Sequence, residues 1–466
     1  MSDPLALVPL AAAAHGGTID DVPTGQLVAA GLTLLQRCAP LVRALAGKRA
    51  GILLPTTPAY LTALAAADGR GAVLINPLAA PPEIEHQLTD ADVGAVLTIA
   101  SLAGKLPPAI PRVLLDDAPR SARYEHAGDR REVDLGSHVG LDLAGDPDVP
   151  GRDEEAVIVY TSAMEGTPLG AILTHRNLLF NARAAREAAA LESDAHSLAL
   201  LPFAHLFGFT ITLLAPLLVG GRVTTLARFN PARALELLET RDITLLLAVP
   251  SIFKGLLALL EKRGDRLRAG SLRVCICGGA PLERVVQDRW ADVAGVELRQ
   301  GYGLTEAGPA CLFNGVRLPN ARGTLGLPFP GVRVRILEPG EIAVTGENVF
   351  RGYVRDGDRG LRREGEWLRT GDLGDVDAEG RVTFRGVLKP MFTRNGFNIY
   401  PRELERAVGA MPGVRRVSVR ALPDAARENE IALDIVGDVE REAVERWCAE
   451  RLSVYKQPGV IAITPP

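Results

Sequence analysis

The sequence predicts an α/β fold with largely parallel sheets, followed by a smaller α+β unit near the C-terminus. Two observations predict the first part: short apolar runs recur along the chain, and amphipathic stretches separate most of them. A third observation predicts the smaller unit: beyond Arg333 helical patterns become rare, and segments of alternating apolar and polar residues take their place. No fixed-period repeat is visible.

The apolar runs before Arg333 are predicted to be buried strands. They cover Arg49–Pro55, Gly71–Pro77, Val93–Ile99, Ala156–Tyr160, Ser197–Leu201, Gly221–Leu226, Asp242–Val249 and Ser271–Gly278. Amphipathic spacing predicts helices between them, among them Ala59–Ala67, Asn230–Thr240 and Ser251–Arg263. The segment Pro107–Gly151 is predicted to be loop and surface, because it ends in a stretch rich in Gly, Asp and Pro.

Alternating apolar and polar residues predict half-buried antiparallel strands after Arg333. These are Val332–Leu337, Gly340–Thr345 and Arg381–Phe384, with a turn at Asp377–Gly380. A compact unit then begins near Gly386, with helices expected at Pro401–Ala410 and Val439–Leu452 and strands at Val414–Leu422 and Glu428–Val436. The predicted division is a large domain at 1–385, a hinge at 386–390 and a small domain at 391–466.

Charge and composition exclude several classes of protein. Lys and Arg total 52 and Asp and Glu total 56, so the net charge of −4 provides no basic field for nucleic acid. The five scattered cysteines are expected to be small buried thiols in a reducing compartment. The N-terminus lacks the basic region of a signal peptide, and no apolar run reaches the length of a membrane span. We therefore expect a soluble cytoplasmic protein.

A glycine- and hydroxyl-rich loop, Tyr160–Gly170, follows a predicted strand. Loops of this kind hold phosphates with backbone amides, and glycine lets the phosphate approach closely. Taken alone the signal is weak, because the loop lacks the Gly-Lys-Ser/Thr of a Walker loop and would otherwise be a surface turn.

Four further stretches carry groups suited to nucleotide and acyl chemistry. Gly278–Leu282 follows a predicted strand, at the position where ligands bind in open α/β sheets. In the turn GYGLTE, Tyr302 is placed to stack on a base and Glu306 to bind Mg²⁺. Asp372 is a carboxylate in a turn and is suited to accept hydrogen bonds from a ribose diol. His205 lies among apolar residues, where a satisfied core histidine is the simpler interpretation.

The order of these stretches resembles the adenylate-forming superfamily, which includes acyl-CoA synthetases, peptide-synthetase adenylation domains and luciferases. The resemblance runs from about Gly25 to the C-terminus. The matching stretches are YTSAMEGTPLGAILTHRNL, LPFAHLFGFT, VPSIFKGLL, GGAPL, GYGLTE, GEIAVTGENVFRGY, WLRTGDLGDVDAEGRV and GFNIYPRELE.

The resemblance implies a fold, a reaction and a set of ligands. The fold has two mixed or parallel sheets with flanking helices, a β-barrel-like part and a small mobile α+β domain. In the reaction, a carboxylate attacks the α-phosphate of ATP, and a thiol then takes the acyl group from acyl-AMP. The implied ligands are ATP or AMP, Mg²⁺, a carboxylic acid, and coenzyme A or the pantetheine of an acyl carrier protein. The oligomeric state is left open.

The resemblance also implies roles for individual residues. The expected nucleotide-binding residues are Thr161, Ser162, Gly279, Ala280, Pro281, Tyr302, Gly303, Thr305 and Asp372. The expected catalytic residues are Thr305, which holds the α-phosphate, Glu306, which holds the metal, and His205, which lies between the acyl pocket and the thiol tunnel. The residues expected in the acyl and thiol pocket are His205, Phe209, Ile252, Cys311 and Gly396, and the hinge residues are Lys389 and Pro390.

The phosphate loop departs from the pattern of the superfamily, which reads roughly TSGSTGxPKG. Ala163 and Met164 replace a glycine and a serine, Glu165 replaces a threonine, and Leu169 replaces the lysine. These changes remove donors to phosphate, and Glu165 adds a negative charge. Two like charges about 4 Å apart repel by about 4 kcal/mol at an effective dielectric of about 20.

Two further departures lie near the hinge and the C-terminus. Val387 replaces a ribose-binding arginine, and Pro390, with its fixed φ, occupies the pivot. The sequence stops at Pro466, at the threshold of the loop that carries the adenylating lysine, and Lys456 matches a different lysine that we expect to be structural.

Three functions remain open at this point. The first is a ligase that converts a carboxylic acid to an acyl thioester. The second is an enzyme that performs only the thioester half-reaction, and the third is a non-catalytic scaffold that binds a carrier protein. The segment Phe203–Phe209 contains no carboxylate to hold an ammonium group, so the sequence predicts an acid with an uncharged aliphatic or aryl tail.

Overall fold

The structure, a computed structural model, describes residues 8–67, 70–116, 120–136, 153–161, 168–355, 363–388, 390–424 and 427–465. The helices α1 to α12 are Val8–Ala13, Thr24–Arg37, Ala39–Leu45, Ala59–Ala66, Pro81–Asp90, His175–Ala188, Ala215–Leu217, Pro231–Thr240, Pro250–Arg263, Arg284–Ala294, Pro401–Gly409 and Arg441–Arg451. The strands β1 to β16 are Thr18–Ile19, Val22–Pro23, Arg49–Leu53, Ala72–Leu74, Val93–Thr98, Arg112–Leu115, Ser121–His126, Asp129–Asp134, Glu155–Thr161, Leu169–Thr174, His196–Ala199, Arg222–Thr225, Leu245–Ala248, Val274–Cys277, Leu298–Gly303 and Ala310–Phe313. The strands β17 to β28 are Leu327–Pro328, Arg333–Leu337, Glu341–Thr345, Gly352–Tyr353, Arg363–Glu364, Trp367–Val376, Val382–Val387, Phe392–Arg394, Phe397–Ile399, Val414–Asp424, Glu428–Gly437 and Val460–Thr464.

Two nine-stranded mixed sheets form the large part of the molecule. The first has the order β17-β16-β15-β14-β13-β11-β12-β1-β2, and the second has the order β20-β10-β9-β4-β3-β5-β6-β7-β8. The helices α2, α4 and α6 and a π-helix at Phe207–Leu214 share one apolar core with strand residues of both sheets. The helices α8, α9 and α10 pack in a second core with β13 and β14, and α5 packs in a third with strands of the second sheet. The predicted α/β fold with two mixed sheets is confirmed.

A third sheet and the C-terminal unit complete the architecture. The third sheet runs β18-β19-β22-β21, with β23 also paired to β22. It corresponds to the expected β-barrel-like part and lies between the large sheets and the C-terminal unit in the chain. The C-terminal unit has a hairpin, β24–β25, and a three-stranded sheet, β26-β27-β28, that pack with α11 and α12 around a separate apolar core. The predicted helices and strands of this unit are confirmed.

The interpretation of Pro107–Gly151 as loop was wrong for three of its segments. They form β6, β7 and β8, which extend the edge of the second sheet. The side chains of Ala122, Tyr124 and Val133 are buried on one face, while their neighbours along the strands are partly or fully exposed. A turn with positive φ at Ala127 and Gly128 joins β7 to β8. Many charged residues in this hairpin obscure the alternation of buried and exposed residues that is typical of a strand, because only three buried residues show it. Residues 137–152, including the predicted linker, lie outside the described residues.

The expected hinge at 386–390 begins inside a strand. Gly386 and Val387 are the last residues of β23 and pair with Leu373 and Asp372. The amide of Leu388 donates a hydrogen bond to the carbonyl of Gly371 at 2.8 Å. Lys389 lies outside the described residues. The boundaries of the domains and the role of Pro390 as pivot stay predictions.

All five cysteines are free and buried, as the sequence predicted. Within the described ranges, no single helix is long and apolar enough to cross a membrane, although α2 and α3 reach that length and composition as a pair bent by 90°.

Helices α2 and α4 approach most closely at Gly31. A Cβ atom at this position would lie 2.3 Å from the carbonyl oxygen of Thr62 and 2.7 Å from Cβ of Ala65. We expect Gly31→Ala to lower the free energy of unfolding by about 1–3 kcal/mol in denaturant titrations, although alanine favours helices. Gly104→Ala is the matched control, because a Cβ at Gly104 meets nothing within 4 Å. Equal stability of the two variants would contradict the close packing.

Candidate active site

A cavity of about 1000 Å³ lies where the large sheets, the third sheet and the C-terminal unit meet. Its floor is formed by residues at the carboxyl ends of β14 and β15 and by the start of β10, and β22, β23 and the hairpin β24–β25 form other walls. Ligands bind at this edge of open α/β sheets because the strands end and the loops diverge there. Most of the predicted site residues lie in this one cavity. They are Thr161, His205, Gly279, Ala280, Pro281, Tyr302, Gly303, Thr305, Glu306, Asp372 and Gly396.

Tyr302 and Asp372 join the first sheet to the third. The hydroxyl of Tyr302 donates a hydrogen bond to Oδ2 of Asp372 at 2.6 Å, and the amide of Asp372 donates to Oγ1 of Thr370 at 3.1 Å. Burial raises the pKa of Asp372 to about 6, although the hydrogen bond from Tyr302 acts in the opposite direction. The predicted ring and the predicted ribose-binding carboxylate therefore lie side by side.

This raised pKa leads to a prediction for nucleoside affinity. Ribose hydroxyls donate hydrogen bonds to the ionised carboxylate, and Asp372 loses its charge as the pH falls through about 6. We expect the affinity for adenosine to fall about tenfold from pH 7 to pH 5 in calorimetric measurements. Adenosine is the ligand of choice because it carries no phosphate group that would itself change its charge over this pH range. Asp372→Asn is expected to show no such dependence. Equal wild-type affinity at both pH values would rule out Asp372 as the titrating contact.

The raised pKa of Asp372 also affects the stability of the folded chain. Because the pKa of Asp372 in the folded chain lies above its ordinary value of 3.8, its contribution to stability is fully present below pH 3.8 and is lost as the pH rises through about 6. At neutral pH the ionised carboxylate of Asp372 therefore destabilises the fold.

Glu306 is a buried carboxylate at the second candidate position. Its Oε1 accepts hydrogen bonds from the hydroxyl of Tyr353 at 2.8 Å and from Oγ1 of Thr161 at 3.4 Å. Burial raises the pKa of Glu306, so a cation beside it would favour the charged form. No cluster of three or more acidic, His or Cys groups suited to a metal lies within the described residues. This arrangement fits Mg²⁺ held by one carboxylate and by substrate phosphates.

Sequence reasoning did not single out Tyr353. It lies in the quoted stretch GENVFRGY, where an aromatic residue after a glycine was the available signal. The strand β20, which carries Tyr353, pairs with β10, so its hydroxyl reaches Glu306 from the second sheet.

Glycines shape the nucleotide side of the cavity. Gly279, with φ of +79°, begins the turn after β14, where Ala280 and Pro281 also line the cavity. A Cβ on Gly303 would lie 1.8 Å from the carbonyl oxygen of Pro309, so no other residue fits there without displacing the backbone. Thr305 follows at the start of a short 3₁₀ helix and also faces the cavity.

His205 lines the cavity at its apolar end. Its Nδ1 accepts a hydrogen bond from the amide of Phe207 at 3.3 Å, and burial lowers the pKa of the imidazole. Both observations favour the neutral ring with the proton on Nε2. The lining residues nearby are apolar: Ala204, Phe207, Ile211, Ile276, Leu312 and Phe313.

Three predicted pocket residues do not line the cavity. Phe209 is fully buried and packs against Tyr60 with ring centroids 6.3 Å apart, because the π-helix turns Phe207 and Ile211 toward the cavity instead. Cys311 is fully buried in β16, where the alternation of the strand puts its neighbours Ala310 and Leu312 on the cavity wall.

Ile252 was the third wrong assignment. It lies on α9 and packs into the core formed with α8 and α10, away from the cavity. Helix α9 begins at Pro250, and the residue just before it, Val249, is the one that approaches the C-terminal unit.

The hairpin β24–β25 brings Gly396 to the large sheets. A Cβ on Gly396 would lie 2.4 Å from Cγ1 of Val249, and the carbonyl oxygen of Gly396 lies 3.9 Å from where a Cβ of Gly279 would be. Gly396 has φ of +76°, and its amide donates a hydrogen bond to Oε2 of Glu428 at 3.2 Å. This glycine therefore permits a close approach that a side chain would prevent.

Two of the positions at which the sequence departs from the superfamily are apolar and face the cavity. Leu169 and Val387 both line the cavity, at positions where the superfamily places a lysine and an arginine. Ser162 and Glu165 lie outside the described residues. Two basic side chains of the Lys or Arg type line the described part of the cavity, and both are paired. Arg369 pairs with Glu341 at 2.6 Å, and Lys456 pairs with Glu83 at 2.9 Å.

Comparisons with known proteins agree with this arrangement. A feruloyl-CoA synthase of Amycolatopsis sp is 32% identical over 448 residues, which cover 90% of this chain and 85% of that protein. A long-chain-fatty-acid–CoA ligase of Bacillus subtilis is 27% identical and covers 88% of this chain and 81% of that protein. A solved malonyl-CoA ligase with methylmalonyl-CoA and AMP bound superposes with a TM-score of 0.82 at 26% identity and covers 98% of each chain.

The family model described as "AMP-binding enzyme" matches residues 38–354, which include β3 to β20 and Thr305, Glu306 and Tyr302. More than half of the chain lies within this match, and the relatives above extend it across the C-terminal unit. The chain therefore belongs to the AMP-binding family of adenylate-forming enzymes.

Proposed function

We propose that the protein is an acid–thiol ligase, which activates a carboxylic acid as acyl-AMP and transfers the acyl group to coenzyme A. One observation carries the proposal: a single cavity joins the pair Tyr302–Asp372, the buried carboxylate of Glu306, an apolar pocket at His205 and the approach at Gly396. These are a nucleotide site, a cation site, an acyl site and a thiol path. The relatives named as CoA synthases and ligases support the same reaction.

The first half-reaction takes place between the nucleotide and the acid. A carboxylate oxygen attacks the α-phosphorus of ATP, and the bond from this phosphorus to the β-phosphate oxygen breaks, so that pyrophosphate leaves. Asp372 and the turn at Gly279 hold the nucleoside, and Thr305 orients the α-phosphate. When Mg²⁺ is bound at Glu306, it neutralises charge on the phosphates. Tyr353 fixes the carboxylate of Glu306 in place for this role.

In the second half-reaction, the thiol sulfur attacks the acyl carbon, and the bond from this carbon to the AMP oxygen breaks. The thiol proton passes to water, and AMP leaves with the oxygen of the broken bond. His205, neutral and with its proton on Nε2, is placed to donate a hydrogen bond to an acyl oxygen. The hairpin of Gly396 forms the wall along which pantetheine would enter, and a carrier-protein pantetheine is an alternative donor of the same thiol.

The apolar pocket indicates the class of acid. Its side chains include the rings of Phe207 and Phe313 and the aliphatic groups of Ile211 and Ile276. No charged side chain lies among these residues to pair with a second carboxylate or an ammonium group. We therefore propose an acid with an uncharged aryl or aliphatic tail.

The test is an assay with purified protein, Mg-ATP, coenzyme A and a panel that includes ferulate, other cinnamates, benzoates and fatty acids of increasing length. Mass spectrometry then measures acyl-AMP and acyl-CoA. The proposal expects acyl-CoA from at least one acid whose tail is uncharged, and none from malonate or amino acids. Absence of product both from the panel with ATP and from synthetic acyl-AMP with coenzyme A would overturn it.

A second candidate function is the thioester half-reaction alone, starting from acyl-AMP. It is favoured by the apolar side chains of Leu169 and Val387 in the described part of the cavity wall, which stand where the superfamily places basic residues. In that case synthetic acyl-AMP yields acyl-CoA, whereas ATP and the free acid yield nothing.

Restoring the phosphate loop tests the argument that its altered residues weaken ATP binding. We expect Glu165→Thr combined with Leu169→Lys to strengthen ATP binding about tenfold or more, because a repulsive charge is removed and an ammonium donor is added. Calorimetry with a non-hydrolysable ATP analogue measures the change, and AMP, which lacks the outer phosphates, is the control ligand. Unchanged affinity for the analogue would contradict the charge argument.

A further inference from the structure

Lys456 is a buried cation that touches both parts of the molecule. Its Nζ donates to Oε1 of Glu83 at 2.9 Å and to Oε1 of Glu403 at 2.5 Å. Glu83 lies on α5 of the large part, and Glu403 lies on α11 of the C-terminal unit. The side chain of Lys456 is only 5% exposed. A single ammonium group therefore bridges residues that are 373 and 53 positions away in the chain.

The groups around Lys456 stabilise the charged form of its side chain. Burial alone would lower the pKa of Lys456, but Tyr455, Glu403 and Glu83 together raise it above the ordinary value. The ammonium group is therefore charged at neutral pH. A buried charge that loses a partner is costly, so separation of α5 from the C-terminal unit must overcome this attraction.

Glu83 is also held by other groups. It is the third residue of α5, and its Oε2 accepts a hydrogen bond from the amide of Ala80 at 2.8 Å, which fixes the carboxylate at the start of the helix. The same oxygen accepts a hydrogen bond from the hydroxyl of Ser453. Glu83 therefore contacts the segment of residues 453–456 through both of its oxygens.

The segment of residues 453–456 is coupled to the hairpin of Gly396. The ring of Tyr455 stacks on the ring of Phe397, next to Gly396, with centroids 4.1 Å apart and planes at 17°. Arg394, on the other side of Gly396, donates to the carbonyl oxygens of Tyr455 and Gln457 at 3.2 and 2.6 Å. A shift of Lys456 relative to α5 would therefore carry Gly396 with it.

We propose that Lys456 is a positioning residue for the thiol step: through Glu83 it holds the C-terminal unit against α5 in the orientation that places Gly396 beside Val249. This inference rests on the proposed function, because it assigns a role within the second half-reaction. A role limited to the fold of the C-terminal unit would require Glu403 but not Glu83.

The bridge is part of the cavity wall. Lys456, Glu83, Ser453 and Tyr455 all line the cavity. The charge of Lys456 is satisfied there by the carboxylates of Glu83 and Glu403.

The experiment compares Glu83→Gln, Lys456→Met and Lys456→Arg with the wild type. The matched control is Lys48→Met, which breaks the exposed pair of Lys48 with Asp92 at 3.3 Å. Transfer from synthetic acyl-AMP to coenzyme A is measured as kcat and KM, and adenosine affinity is measured by calorimetry. We expect Glu83→Gln and Lys456→Met to lower kcat for transfer at least tenfold with adenosine affinity unchanged. Lys456→Arg should retain more of the activity, and Lys48→Met should match the wild type.

A second readout does not depend on activity. Spin labels at the exposed positions Lys262→Cys and Arg446→Cys report the distance between the large part and the C-terminal unit. We expect one narrow distance for the wild type and a broad distribution for Glu83→Gln, which leaves the pair of Lys456 with Glu403 intact. A narrow distance in Glu83→Gln, or unchanged kcat for transfer, would overturn the inference. An inactive wild type that still gives the predicted distances would contradict the proposed function and not the positioning by Lys456.

Discussion

Replacement of Asp372 by alanine is expected to weaken adenosine and AMP binding at least a hundredfold. Two ribose hydroxyls lose a charged acceptor, and each such hydrogen bond contributes about 1.5–3 kcal/mol. The hydroxyl of Tyr302 also loses its partner at 2.6 Å, so the ring beside the base loses its anchor. Calorimetric titration with AMP measures the change directly.

Asp375→Ala is the matched control for Asp372→Ala. Asp375 lies three residues further along β22, is exposed, and pairs with Arg385 on the neighbouring strand. Its loss should leave AMP affinity within about twofold of the wild type, because neither Asp375 nor Arg385 lines the cavity. An exposed ion pair of this kind contributes about 1 kcal/mol or less to stability. Equal AMP affinity of the Asp372 and Asp375 variants would remove Asp372 from the nucleotide site.

Gly396→Ala is expected to lower acyl transfer to coenzyme A at least a hundredfold while AMP affinity stays unchanged. The added methyl group would lie 2.4 Å from Cγ1 of Val249, so either the hairpin moves away from the large part or the thiol path closes. Steady-state transfer from synthetic acyl-AMP and calorimetry with AMP separate these two quantities.

Two variants isolate the clash from backbone strain. Gly264→Ala introduces a side chain at a similar φ of +64°, but its Cβ would meet nothing within 4 Å, so it carries the strain alone. Val249→Ala combined with Gly396→Ala removes the obstructing methyl groups and should restore part of the transfer activity. Full transfer activity in Gly396→Ala alone would show that the hairpin does not border the thiol path.

The expected nucleotide-binding residues could be assigned from the sequence because their motifs match those of adenylate-forming enzymes. Gly279 lies in the turn after β14, at the edge where open α/β sheets bind ligands. Tyr302 and Asp372 lie inside β15 and β22, two strands that the apolar pattern did not predict, so the resemblance alone indicated that they belong to one site.

The acyl side was harder to predict because it depends on helix register. A π-helix holds one more residue in each turn than an α-helix, so Phe207 faces the cavity and Phe209 faces Tyr60. Nothing in the segment Phe207–Leu214, which is apolar throughout apart from Gly208 and two threonines, indicates which side faces the acid.

The partners of Lys456 were not visible in the sequence for a different reason. Glu83 and Lys456 lie 373 positions apart, and each looks like an ordinary surface charge in its own amphipathic segment. Only the approach of the C-terminal unit to α5 buries them together. Sequence reasoning therefore identified Lys456 as structural but not what it holds.

The residues that line the cavity range from Leu74 to Lys456 along the chain. A bound ligand therefore contacts almost every layer of the molecule. A ligand that binds only the folded chain at a hundred times its dissociation constant adds about 2.7 kcal/mol to stability. Proteases act on opened chains, and their rate of attack follows the population of those chains. The supply of nucleotide and acid in the cell would then set how long each copy of this protein survives, as well as how fast it works.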